Sequence, residues 1–140
     1  MENKTKQEHL RIKNDVNELA ALTQKLEELG EQWQLSVALV TNLNLVLEEA
    51  ISNIIFYAFE DKKEHLIDLD FVLEDTQMTI TITDDGKPFD PTKKESPDIT
   101  LSADEREVGG LGIFLMGKIM DSLKYKRENK KNILILKKEI

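Results

Sequence analysis

The chain has 140 residues, no cysteine and a formal net charge of −8. That length suits a single domain spanning residues 1–140, and the missing cysteines exclude a disulfide framework and a cysteine-built zinc site. The acidic balance argues against direct binding of nucleic acid, whose phosphates would repel the chain. Hydrophobic residues make up 40% of it, enough for a real core. No run approaches the ~18 apolar residues of a membrane span, and no charged, apolar and small-residue leader opens it. A cytoplasmic protein without membrane attachment is the expectation. With two histidines, His9 and His65, a His-rich metal site is not expected.

In chain order, residues 8–14 (HLRIKND) predict a short strand. Residues 15–29 predict a helix. Val16, Leu19, Ala20, Leu22, Leu26 and Leu29 form its stripe, with Asp15 as N-cap and Gly30 as its stop. Residues 34–59 form the most apolar helical stretch: Leu39, Leu43, Val46, Leu47, Ala50, Ile54 and Ala58 share one face, which Ile51 and Ile55 widen. A stripe that wide belongs to a helix packed deep against a sheet. After a charged turn at 60–64, residues 65–73 and 77–84 predict two strands joined by a hairpin at Glu74-Asp75-Thr76. From Asp85 to Val108 no period holds, and the chain's three prolines fall here. A loop that long in a compact domain is usually a lid or binding loop. A helix over 110–121 and strands over 122–128 and 132–138 close the chain. The order predicts an α+β fold: a two-layer sandwich with helices on one face of a mainly antiparallel mixed sheet.

The strand at 77–84 carries the most informative residue. Met78, Ile80 and Ile82 alternate with Thr79, Thr81 and Thr83, so the apolar set faces a core. Asp84 is in phase with that set and points inward. A carboxylate facing a core is expensive unless something meets it, and a ligand with hydrogen-bond donors is the natural partner. Two other constellations accompany it. Glu49 and Asn53 lie four apart on the apolar helix and share one of its edges. They place an acid beside an amide oxygen of the kind magnesium accepts. Glycines at 109, 110 and 112 open the helix at 110–121. A helix mouth free of side chains offers backbone N–H groups and a favourable dipole to a phosphate. Each signal has an ordinary reading: a solvated helix edge, a turn at Asp85-Gly86, a hinge.

Their order resembles the three nucleotide-site boxes of the GHKL ATPases, the group of gyrase, the heat-shock chaperone, MutL and sensor histidine kinases. The resemblance runs from about Leu43 to Lys138. It is closest to the bacterial anti-sigma-factor serine kinases, which use the histidine-kinase-like ATPase domain, or Bergerat ATP-binding fold. LEEAISN (47–53) is similar to that branch's helical box, ITDDGKPFDP (82–91) to its adenine loop, and GGLGIFLMGKIMD (109–121) to its phosphate loop and following helix.

The resemblance implies ATP and magnesium as cofactors. It gives Glu49 the role of general base or of orienting the attacking group, Asn53 that of magnesium ligand, and Asp84 that of acceptor for the exocyclic amine of adenine. Gly86 would let the nucleotide approach. Gly109, Gly110, Leu111 and Gly112, with an ATP lid at about 85–108, would surround the phosphates. Glu48 is the rival base, but lies about 140° round the helix from Asn53. The implied activity is phosphorylation of a serine on an anti-sigma-factor antagonist, with sequestration of a sigma factor by a homodimer. The chain departs from the family's pattern at Tyr57, at Leu111, and at Asn129-Lys130-Lys131-Asn132, where relatives often carry Gly-Thr. Two alternatives stand beside the kinase: a nucleotide-regulated binding module without kinase activity, and a stand-alone histidine-kinase ATPase domain.

Overall fold

The computed structural model describes residues 5–93 and 110–140. Strand β1 (Thr5–Lys13) leads into helices α1 (Leu19–Gln32) and α2 (Val37–Tyr57). The hairpin β2 (Leu66–Glu74) and β3 (Gln77–Asp84) follows, then helix α3 (Gly110–Ile119) and the hairpin β4 (Ser122–Glu128) and β5 (Lys131–Glu139). The strands form one sheet in the order β1-β2-β3-β5-β4. Every pairing in it is antiparallel, so among the described residues the sheet is antiparallel rather than mixed. The reason is connectivity. β4 runs parallel to β3, but β5 inserts between them.

Alternation decides which side of the sheet is covered. Ile67, Leu69, Phe71 and Leu73 of β2, Met78, Ile80 and Ile82 of β3, and Leu134 and Leu136 of β5 are buried on one face. Leu22, Leu26 and Leu29 of α1 and Leu43, Val46, Leu47, Ala50, Ile51 and Ile54 of α2 complete the core. By length and composition alone α2 would suffice to cross a membrane; here its apolar stripe lies against the sheet. The opposite face carries Asp68, Asp70, Thr79, Thr81 and Thr83, none fully buried. His9 is exposed on β1 and meets Asp68 at 3.0 Å, beside Arg11 at 2.8 Å.

Local chemistry sets the element ends. The Asp15 carboxylate accepts the Asn17 N–H at 2.9 Å and caps a 3-10 turn, Val16–Glu18, ahead of α1. Ser36 caps α2 by accepting the Leu39 N–H at 3.1 Å. Gly30 does not stop α1, which runs on to Gln32. A Cβ at Gly30 would stand 2.8 Å from Cγ2 of Val40, so this glycine lets α2 pack close. The left-handed turn that ends the helix falls on Gln34, φ 56°, with the Leu35 N–H bonded to the Gly30 carbonyl at 2.9 Å.

Candidate functional site

The inward phase of β3 carries Asp84 beneath the second half of α2. Directly across the ladder β5 presents Asn132, which is in phase with buried Leu134 and Leu136. Asp84 and Asn132 are each 4% exposed, and Asn53 on α2 is 5% exposed. These three polar residues share one pocket. Ala50, Ile54 and Ala58 form its α2 wall, Met116 of α3 and Leu134 of β5 other walls, and Phe89, Pro91 and Tyr125 also line it. The enclosed cavity is about 20 Å³, room for one water and not for a purine. A purine would need the pocket walls to part further.

The Asp84 carboxylate is met through one of its two oxygens. Asp84 Oδ1 accepts the Gly86 N–H at 2.8 Å and Asn132 Nδ2 at 3.0 Å. Asp84 Oδ2 has no hydrogen-bond partner among the described residues. Burial pushes the Asp84 carboxyl above the ordinary carboxylate range. The Asn132 and Gly86 donors and the Arg127 guanidinium oppose that shift, while neighbouring Asp85 adds to it. A buried acceptor oxygen left open beside apolar walls suits the exocyclic amine of a purine.

Gly86 has a structural cause for being glycine. A Cβ there would lie 2.5 Å from the carbonyl oxygen of Ala58 and 2.6 Å from its Cβ. The crowding comes from the end of α2, against which the loop is fastened by Lys87 N–H to Ala58 O at 2.8 Å. The loop is braced on its other side by His65. Its Nδ1 meets Asp85 at 3.1 Å, its Nε2 meets Asp61 at 2.6 Å, and its ring stacks on Phe59 at 4.2 Å. The bond to Asp61 is the main cause of the raised His65 pKa.

One turn along α2 from Asn53 lies Glu49, half-buried. Asn53 Nδ2 donates to Glu49 Oε1 at 3.4 Å, which leaves the Asn53 amide oxygen free to meet a cation. Partial burial raises the Glu49 pKa and the Asn53 bond lowers it, with burial the larger effect. Glu48 faces elsewhere. Its Oε1 lies 3.2 Å from Asn44 Nδ2 and 3.4 Å from Thr23 Oγ1, tying α2 to α1. Of the two glutamates, only Glu49 is coupled to the pocket. The described residues hold no group of three or more acidic or imidazole side chains able to bind a metal by themselves. An ion beside Asn53 would need oxygens from a phosphate and from water, which is how magnesium is commonly held.

Gly110, Leu111 and Gly112 form the first turn of α3, whose Met116 reaches the pocket. Gly109 and residues 94–108 of the expected lid lie outside the described residues. The fold thus brings together Asp84, Asn53 and, through Asn53, Glu49. Sequence reasoning missed Asn132, and with it Tyr125 and Arg127. The Asn132 carboxamide oxygen accepts the Tyr125 hydroxyl, Arg127 Nη1 at 3.0 Å and the Phe89 N–H at 3.4 Å. Arg127 Nη1 also donates to the Gly86 carbonyl at 2.7 Å. The phase of Asn132 with Leu134 and Leu136 was the available signal.

Residues 12–138 match the histidine kinase-like ATPase domain family. A serine/threonine-protein kinase of Bordetella bronchiseptica, BtrW, is 33% identical over 108 residues, covering 77% of this chain and 75% of its own. An anti-sigma F factor of Clostridium botulinum is 27% identical over 100 residues, covering 71% and 70%. Among solved structures, the RsbU and RsbW domains of a Mycobacterium tuberculosis protein superpose with a TM-score of 0.59 at 9% identity over 96% of this chain. That likeness speaks for the fold alone, and this chain spans 32% of that one.

Proposed function

The chain belongs to the histidine kinase-like ATPase domain family, and on that premise we propose that it is an ATP-dependent protein serine kinase. Its substrate is a serine on an anti-sigma-factor antagonist, and it also sequesters a sigma factor, as a homodimer, in a cytoplasmic partner-switching pathway. The relatives named as a serine/threonine-protein kinase and an anti-sigma F factor support this reading. The observation that carries it is the buried Asp84 carboxylate, which lines a pocket shared with Asn53 and has one oxygen held by Gly86 and Asn132 and the other without a hydrogen-bond partner among the described residues.

In this reading residues 1–140 form one kinase domain, with a lid over about 85–108. Asp84 Oδ2 accepts the 6-amino group of adenine. Ala50, Ile54, Ala58, Met116 and Leu134 contact the faces and edge of the base and exclude water. Gly110, Leu111 and Gly112 present backbone N–H groups to the phosphates, with Gly109 preceding them. Asn53 would hold magnesium through its amide oxygen, and the ion supplies neutralisation of phosphate charge. Asn53 Nδ2 orients Glu49. The Glu49 carboxylate takes the proton of the serine hydroxyl as its oxygen bonds to the terminal phosphorus and the bond to ADP breaks. A raised Glu49 pKa strengthens that base. Positioning and charge neutralisation carry most of the rate, as in other phosphoryl transfers.

The test is incubation of the full chain with ATP, magnesium and a small antagonist protein encoded beside it. Acid-stable phosphoserine on the antagonist, lost with Glu49→Gln, is expected. ATP binding without any labelled antagonist would refute the kinase and leave a nucleotide-regulated binding module. Acid-labile phosphate would point to a histidine acceptor.

A further inference from the structure

Asn132 is a buried side chain whose hydrogen-bonding capacity is fully used. Its two amide hydrogens go to Asp84 Oδ1 at 3.0 Å and to the Lys87 carbonyl at 2.8 Å. Its oxygen accepts from Tyr125, Arg127 and Phe89. No donor or acceptor remains for a nucleobase, so Asn132 acts on a base only through Asp84. Together with the Gly86 N–H it places two donors on the same carboxylate oxygen. That restrains the carboxylate and leaves the other oxygen as the acceptor without a partner among the described residues.

Resting on the proposed function, we propose that Asn132 is the positioning residue that makes this site selective for a 6-amino purine. By pinning Oδ1 it leaves Oδ2 as an acceptor in a fixed direction. A 6-amino group donates to that oxygen. A 6-oxo purine offers a second acceptor at the same place and leaves two buried oxygens facing each other. A site built around a hydrogen bond rejects the analogue that lacks the matching group, because the buried partner is then unpaired. Tyr125 and Arg127 extend the same device: their hydrogen bonds orient the Asn132 amide so that its nitrogen, not its oxygen, faces Asp84.

The test compares the affinities of ATP and inosine triphosphate, which differ at the 6 position, by calorimetry with magnesium on the full chain. Wild type is expected to prefer ATP by about 10- to 100-fold. Asn132→Leu, close in volume but without donors, is expected to reduce the preference to within about threefold. Asn132→Thr, which retains a hydroxyl donor and suits a strand, is expected to recover most of it. Should Asn132→Leu fail to fold, Tyr125→Phe removes one contact to the amide, and a two- to tenfold fall in the ratio is expected. A folded Asn132→Leu, or a Tyr125→Phe protein, with the wild-type ratio overturns this inference and leaves the kinase intact. Failure of wild type to bind ATP overturns the kinase reading together with it.

Discussion

The two halves of the pocket are built differently. At the β3–β5 end, Asp84 and Asn132 are buried and locked by several short hydrogen bonds, with Gly86, Tyr125 and Arg127 holding them from three directions. On α2, Glu49 is half-buried and meets Asn53 through a single contact of 3.4 Å. The first half is arranged before any ligand arrives, as recognition of a flat, rigid base requires. The second leaves side chains free to adjust, as a group must when it both meets an ion and moves a proton. In the proposed function, specificity falls to the sheet end and chemistry to the helix edge.

The largest effect that would break this division is on the helix edge. Glu49→Gln keeps the size and the bond to Asn53 but removes the proposed base. Phosphoryl transfer to the antagonist is expected to fall about 10²- to 10⁴-fold, with ATP affinity within about threefold of wild type by calorimetry. A parallel loss of affinity would mean that the halves are not separable. Asp84→Asn should do the reverse. ATP affinity falls about 10- to 100-fold, the worth of a hydrogen bond to a charged group.

Titration sharpens the same contrast. Both Asp84 and Glu49 have raised pKa values, so the folded protein binds their protons more tightly than the unfolded chain does. Their contribution to stability is fully present below the ordinary carboxylate range. It is lost as pH rises through the raised values. Asp84→Asn removes a buried charge, so its thermal midpoint near neutral pH is expected to equal or exceed that of wild type. ATP binding runs the opposite way and weakens as pH falls and Asp84 takes up a proton. A Tm series and calorimetry across pH check both signs.

Smaller effects concern the supports. Gly86→Ala drives a methyl group into Ala58, and about 1–3 kcal/mol of stability is expected to be lost, measured by denaturant unfolding. Glu48→Gln removes only the charge from the tie to Thr23 and Asn44, because the amide oxygen still accepts both bonds. A change under about 1 kcal/mol is expected there, with phosphoryl transfer unaltered. A Glu48→Gln enzyme as defective as Glu49→Gln would show that the wrong glutamate has been assigned.

Period-2 alternation makes β3 legible residue for residue, because one of its faces meets the core while the other does not. It also reveals Asp84, the one polar residue in the apolar phase of β3. The same rule applied to Asn132 places it inward beside Asp84, but comparison of Asn129-Lys130-Lys131-Asn132 with a Gly-Thr pattern draws attention to the turn instead. Both turn residues take positive φ, 52° and 63°, which closes a two-residue hairpin and brings Asn132 opposite Asp84. Gly30 misled in the other direction. Locally a glycine after Leu29 reads as a helix stop, and only the approach of Val40 explains why it lies inside α1. Side-chain contacts distinguish the two glutamates, with Glu48 bonded to Asn44 and to Thr23 of α1 and Glu49 to Asn53, where sequence spacing alone gives only an angle.

Calorimetric titration of wild type and Asp84→Asn with ATP and magnesium tests the central claim most directly. Saturable binding by wild type, weakened at least tenfold in a folded Asp84→Asn protein, is the predicted result. Equal affinities for the two proteins, or no binding by wild type, would contradict the assignment of Asp84 to the base.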